Sequence, residues 1–201
     1  GALADVSATD LGAVAVKAAV ERSGVSGDDI ERIYMGCVLP AGLGQAPARQ
    51  AALKAGLPQS VQATTVNKVC GSGMQTVIMG AEALASGSID VVIAGGMESM
   101  TNAPYISQKH RGGARAGHDT LYDHMFLDGL EDAYDKGRSM GAFAQASADE
   151  YQLTRQDQDA YTIESLRRAQ AAIASGAFEG EVVPVTVKTR KGDVTISTDE
   201  A

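Results

Sequence analysis

The stretch NKVCGSGMQT, residues 67–76, places Cys70 between a run rich in Val and Thr and a glycine-broken helix start. A thiol attacks a carbonyl carbon only as its thiolate, and the exposed N–H groups and dipole of a helix N-terminus favour that charge. Gly71 and Gly73 serve the same chemistry. A turn without side chains lets a substrate carbonyl approach and lets backbone N–H groups point at a developing oxyanion. Two other motifs fail on this stretch: Ser72 lacks the GxSxG frame because Cys70 stands two residues before it, and GSGMQT lacks the last glycine of GxGxxG. Free cysteine is also among the most buried residue types, so position alone leaves Cys70 open between a nucleophile and a small apolar filler. Cys37, at the end of an expected strand and next to Val38, has no such helix start and reads as packing.

The elements around these cysteines follow from period and punctuation. SATDLGAVAVKAAVERSG reads as a helix, with Ser7, Thr9 or Asp10 as cap and Gly24 as stop, and APARQAALKAG (46–56) as a second. ERIYMGCV (31–38) and VQATTVNKV (61–69) read as strands. A helix over about 72–86 carries Met74, Val77, Ile78, Ala81 and Leu84 on one side, and IDVVIAGG (89–96) reads as a strand buried on both faces. Residues 1–100 thus alternate helix and strand, the pattern of an α/β sheet with helices on both sides. From residue 101 the alternation stops. NAPYISQKHRGGARAGHDT reads as loop. Helices follow over about 138–151 and 155–175, the second opened by Thr154 with Asp157 as a capping box, and GEVVPVTVKTRKGDVTIST reads as a hairpin turning at KTRKGD. The expected division is an α/β half over 1–100 and a lid-like insertion over 101–201.

Composition narrows the function classes. The 201 residues include 44% hydrophobic and 21% charged side chains, 23 Gly and no Trp, as in a soluble α/β protein rich in tight turns. A formal net charge of −8 disfavours nonspecific nucleic-acid binding. No run approaches the ~18 apolar residues of a membrane span, and the start lacks a signal-peptide pattern, so neither a membrane nor an export route is expected. The two cysteines, without CxxC or His-rich spacing, predict no metal and suit a reducing cytoplasm.

The stretches VNKVCGSGMQT, GCVLPAGLGQAPARQAAL, VVIAGGMESMTNAPY, DGLEDAY, SMGAFA and FEGEVVPVTV, at their distances along the whole chain, resemble the thiolase family and within it the acetyl-CoA acetyltransferases. The resemblance implies the N-terminal half of a layered α/β/α/β/α fold with an inserted loop domain over the active site. It implies that Cys70 attacks an acyl-CoA thioester, holds the acyl group, and passes it to CoA in thiolysis or to an acetyl-CoA carbanion in condensation. The Cys70 backbone N–H then belongs to an oxyanion hole. No cofactor is implied; CoA thioesters and CoA are the substrates, and a homodimer or homotetramer is the implied assembly. Leu130 and Met140 match positions that line the acyl and pantetheine channel, with helical packing as the competing reading. Ser139 stands where biosynthetic members often carry histidine, which leaves acyl length and CoA contacts open.

Glu98 follows a strand and could act as a base, but in the family its stretch supports the site, so a structural role is expected. His110, His118 and His124 fall in the loop-like insertion, where solvated histidines are ordinary, and none is singled out as a catalytic base. Lys109, Arg111 and Arg115 lie in a stretch resembling the family's tetramerisation loop. Lys188, Arg190 and Lys191 lie on the hairpin tip. Either group could attract CoA phosphates, and a solvated turn is the plainer reading of the tip. The Gly-His-Pro and Cys-x-Gly-Gly-Gly stretches of the family's second half do not occur in residues 1–201. The chain is therefore expected to be most of a first half plus an incomplete loop domain, lacking a leading strand and the C-terminal half, and to be inactive alone. A ketoacyl-synthase-type condensing enzyme and a non-catalytic acyl-CoA or lipid carrier are the alternatives.

Overall fold

The computed structural model describes residues 1–200, in two units: Ala2–Gly129, and the chain from Leu130 onward together with Gly1.

In the first unit three parallel strands form one sheet. β1 (Arg32–Gly36) lies between β2 (Gln62–Val66) and β3 (Val92–Gly96), with Ile33 opposite Ala63 on one side and Ile93 on the other. Alternation sends Ile33 and Met35 to one face, where they join Cys37 in a core with Ala8 and Val16 of α1 (Ala8–Ser23) and Ala48, Ala51 and Ala52 of α2 (Pro47–Lys54). The alanines let α2 lie close against the sheet. Ser7 caps α1 by accepting the Asp10 N–H, Gly24 closes it in the left-handed conformation, and Lys54 ties α2 to Asp10 at 2.7 Å. These ends are where capping chemistry places them.

The opposite face carries α3 (Ser72–Ala85), whose apolar stripe turns away from the sheet. Ser72, Thr76 and Gly80 face the sheet, whereas Met74 and Val77 are 73% and 57% exposed and Ile78 and Leu84 stand out beside them. The strands below supply the reason. A Cβ on Gly36 would come within 2.8 Å of the Gly73 nitrogen and the Ser72 carbonyl carbon, so the backbones of β1 and α3 meet with no room for large side chains. The fully buried Thr76 hydroxyl lies 2.9 Å from the Gly95 carbonyl oxygen and pins α3 to β3. β2 and β3 are the edges of this sheet and β1 its centre; the strand expected within IDVVIAGG is present as Val92–Gly96 and is partly buried by the described residues.

Residues 102–129 are tied to the same unit rather than set apart from it. The Asn102 amide donates to the Ala4 and Val6 carbonyls, and Gly129 packs beside Leu39 and Val38. This segment also holds a short antiparallel pair, β4 (Tyr105–Ile106) with β5 (Tyr122–Asp123), where the sequence reads as loop. The alternation thus ends near 101 while the first unit runs on to Gly129.

The second unit contains α4 (Met140–Glu150), α5 (Arg155–Ala174), and a hairpin of β6 (Val185–Thr189) and β7 (Gly192–Ile196) in register Val187 with Val194. Thr154 and Asp157 form both bonds of the expected capping box, and the hairpin turns at Arg190–Lys191 as the charge-rich tip predicts. No described helix is long and apolar enough to cross a membrane.

Candidate active site

Cys70 sits on a tight turn between β2 and α3. The Gly71 N–H donates to the Lys68 carbonyl at 3.1 Å, closing a four-residue turn with Val69 and Cys70 at its centre. Gly71 caps α3, whose first helical residue is Ser72. The thiol-bearing residue is thus held two positions ahead of a helix of fourteen residues, and it is exposed. The side of Gly73 on which a Cβ would stand is open, which leaves approach space at the first turn.

The turn contains a conformation that the sequence does not announce. Val69 has φ +48°, in the left-handed region that a β-branched residue rarely occupies. Side chains hold it there. The Val69 N–H donates to Asn67 Oδ1 at 3.0 Å, while the Ser72 hydroxyl accepts the Lys68 N–H at 2.8 Å and donates to the Val69 carbonyl at 2.5 Å. Asn67 also reaches the Val38 carbonyl with Nδ2 at 3.4 Å. Neither Asn67 nor the turn-holding role of Ser72 is singled out by the sequence. The available signal was local: an Asn two residues before Val69, able to close an Asx turn, and a Ser at the helix start.

Glu98 serves the neighbouring loop. Its carboxylate accepts the Val38 N–H at 2.8 Å and the Leu39 N–H at 3.0 Å, and the Cys37 thiol lies 3.6 Å from Oε1. A carboxylate engaged by these donors is a clamp on the 37–39 backbone, in keeping with the structural role expected for it. Cys37 is 1% exposed. Burial first, and then the adjacent Glu98 charge, push its thiol up to about 12. The two cysteines therefore stand in opposite settings, one buried beside an anion and one exposed ahead of a helix.

The histidines are arranged differently from a solvated set. His124 is buried, contrary to expectation: its Nδ1 lies 2.6 Å from Asp128 Oδ2, and its Nε2 accepts the Ala41 N–H at 3.3 Å. Both ring nitrogens are engaged, because the 37–41 loop needs a partner for its backbone. His110 is exposed and contacts Ser107 and Asp119. Lys109 donates to the His118 carbonyl.

Leu130, Ser139 and Met140 lie in the second unit. A backbone bridge pairs Glu131 with Ser139, Asp132 donates to the Arg138 carbonyl, and Met140 opens α4 with Ser139 as its cap residue. The Ser139 hydroxyl makes no capping bond, and Met140 is exposed. Among the described residues no group of three or more His, Cys, Asp or Glu is placed to hold a metal ion.

Residues 1–201 match the family described as thiolase, N-terminal domain. The chain is 50% identical over 192 residues to an acetyl-CoA acetyltransferase of Schizosaccharomyces pombe, covering 96% of this chain and 48% of the relative. It is 49% identical over 201 residues to an acetyl-CoA acetyltransferase of Escherichia coli, covering 100% of this chain and 51% of the relative. An acetyl-CoA acetyltransferase of Yarrowia lipolytica is 50% identical over 200 residues, covering 100% of this chain and 49% of the relative. The chain spans about half the length of these relatives.

Proposed function

Because this chain belongs to the thiolase family, we propose that the protein carrying it is an acetyl-CoA C-acetyltransferase, with Cys70 as the residue that carries the acyl group. The observation that supports this most is the contrast between the cysteines: Cys70 is exposed on a turn ahead of α3, whereas Cys37 is buried against Glu98. In the first step the Cys70 thiolate bonds to the thioester carbonyl carbon, and the carbonyl electron pair moves to oxygen, a charge for which the family resemblance implies the Cys70 N–H as a donor. Collapse of that intermediate breaks the bond to the CoA sulfur, which leaves with a proton. In the second step of condensation the acyl group passes to the carbanion of acetyl-CoA; in thiolysis Cys70 instead attacks the 3-keto carbon of a 3-ketoacyl-CoA, the C2–C3 bond breaks, the acetyl-CoA carbanion leaves with a proton, and CoA then takes the acyl group from Cys70.

The proton transfers need a base and an acid. His124 is engaged at both nitrogens, and Glu98 is bonded to two backbone N–H groups, so neither suits those roles. The family resemblance draws both from the second half of the family's chain, and we assign them to parts of the protein outside residues 1–201. The exposed apolar face of α3, with Met74, Val77, Ile78 and Leu84, supports a covering layer at this point. Acyl-CoA and CoA are the ligands, with Leu130, Ser139 and Met140 contributing to the channel. A homodimer or homotetramer is the proposed assembly, and the two free cysteines suit the proposed cytoplasmic setting.

The test is acetoacetyl-CoA thiolysis by the intact protein and by Cys70→Ser. A hydroxyl is nearly isosteric with the thiol but far less nucleophilic near neutrality, so the variant is expected to keep its fold and lose activity by orders of magnitude. A variant retaining more than about a tenth of the wild-type rate would place the acyl group elsewhere.

A further inference from the structure

The turn that carries Cys70 is held by bonds reaching outside it. From the Glu98 carboxylate the path runs to the Val38 N–H, from the Val38 carbonyl to Asn67 Nδ2, and from Asn67 Oδ1 to the Val69 N–H. Val69 is the residue at φ +48°, and the next residue is Cys70. Turns with a left-handed residue at this place are dominated by Gly, Asn and Asp, because a Cβ is disfavoured there and a second branch at Cβ more so. A Val that stays in this conformation is over-determined by its surroundings. Here the determinants are Asn67 on its N–H and Ser72 on its carbonyl. If Val69 relaxed to negative φ, the peptide joining it to Cys70 would turn, and with it the direction in which the thiol leaves the turn.

We propose that Asn67 is a positioning residue of the acyl-transfer site: by holding Val69 left-handed and anchoring the turn to Val38, it aims Cys70 at the thioester. The inference rests on the acyl-transfer reading of Cys70. Asn67 is exposed and belongs to no packed core, so its effect falls on the turn and not on the fold.

The experiment compares intact wild-type protein with Asn67→Ala, Asn67→Asp, Val69→Gly and the Asn67→Ala/Val69→Gly double variant. Acetylation of Cys70 by acetyl-CoA is followed in single turnovers across acetyl-CoA concentrations. Asn67→Ala is expected to lower the limiting acetylation rate about five- to thirtyfold, the size of a left-handed penalty, with half-saturation little changed and melting temperature retained. Asn67→Asp keeps an acceptor for the Val69 N–H and is expected to lose less. Glycine at position 69 accepts either sign of φ, so the double variant is expected to recover much of the rate lost by Asn67→Ala. A merely structural Asn67 would not be rescued from position 69. A crystal structure of Asn67→Ala gives a readout independent of acyl transfer, with Val69 expected at negative φ. Val69 unchanged near +48° in that variant, an acetylation rate within about twofold of wild type, or no recovery in the double variant would each overturn the proposal. A wild-type protein that is never acetylated at Cys70 would instead overturn the acyl-transfer reading, and the Val69 conformation in Asn67→Ala would still decide whether Asn67 holds the turn.

Discussion

The Cys37 thiol lies 3.6 Å from Glu98 Oε1, across 61 residues of sequence, and its burial and then this pairing separate the two cysteines chemically. Iodoacetamide at pH 7 should label Cys70 well before Cys37 in the folded protein, since only Cys70 is exposed and ionising Cys37 would bury a second negative charge beside Glu98. Peptide mapping after brief labelling reads the order; Cys37 labelled first or equally would contradict it.

The burial of Cys37, with Glu98 beside it, makes stability depend on pH. In the unfolded chain Cys37 ionises near 9.0, and in the folded protein it is held up to about 12. The stability contributed by the protonated folded thiol is therefore complete below about pH 9 and is lost as the pH rises toward about 12, because the unfolded chain releases a proton that the folded one keeps. Melting temperature should fall more steeply above pH 9 in wild type than in Cys37→Ala, and identical slopes would count against the assignment.

Gly36→Ala tests the seat of α3. Its Cβ would meet backbone atoms of Ser72 and Gly73 at 2.8 Å, and backbone cannot rotate away as a side chain can. Overpacking of this kind costs about 1–3 kcal/mol. Chemical denaturation should show a loss in that range, and a neutral substitution would mean that α3 does not press on β1 as described.

Acid should open the start of α5. Asp157 is held below the usual carboxylate range by the Thr154 hydroxyl and then by the Thr154 N–H, so its cap is intact above the ordinary carboxylate value of 3.8 and fails as pH falls below it. Amide exchange at residues 155–158 should accelerate in acid in wild type and be less pH-dependent in Asp157→Asn; equal profiles would sink the cap.

What could be read from sequence divides along physical lines. Ser7, Gly24 and the Thr154–Asp157 box were legible because capping is decided within a few residues. The position of Cys70 before a helix was legible for the same reason, as a Val- and Thr-rich run gives way to a glycine-broken start. The orientation of α3 was not. Its apolar stripe marks one packing face but not the layer it meets: Gly36 and Gly96 of the sheet lie against Ser72 and Gly73, Thr76 bonds the Gly95 carbonyl, and the stripe faces away from the sheet. Nor was Val69 legible, since its own preference opposes the conformation that Asn67 and Ser72 impose. The burial of His124 depended on Ala41, far along the chain, and had no local signal.

The central claim is that Cys70 carries the acyl group, and the most direct measurement is to mix the intact protein with acetyl-CoA, quench in acid, and map the acetylated peptide by mass. The expected result is one acetyl group on the peptide containing Cys70, removed when free CoA is added before the quench, with Cys37 unmodified. Acetylation of Cys37 or of another side chain, or a Cys70 peptide that stays unmodified while acetoacetyl-CoA is still cleaved, would contradict it.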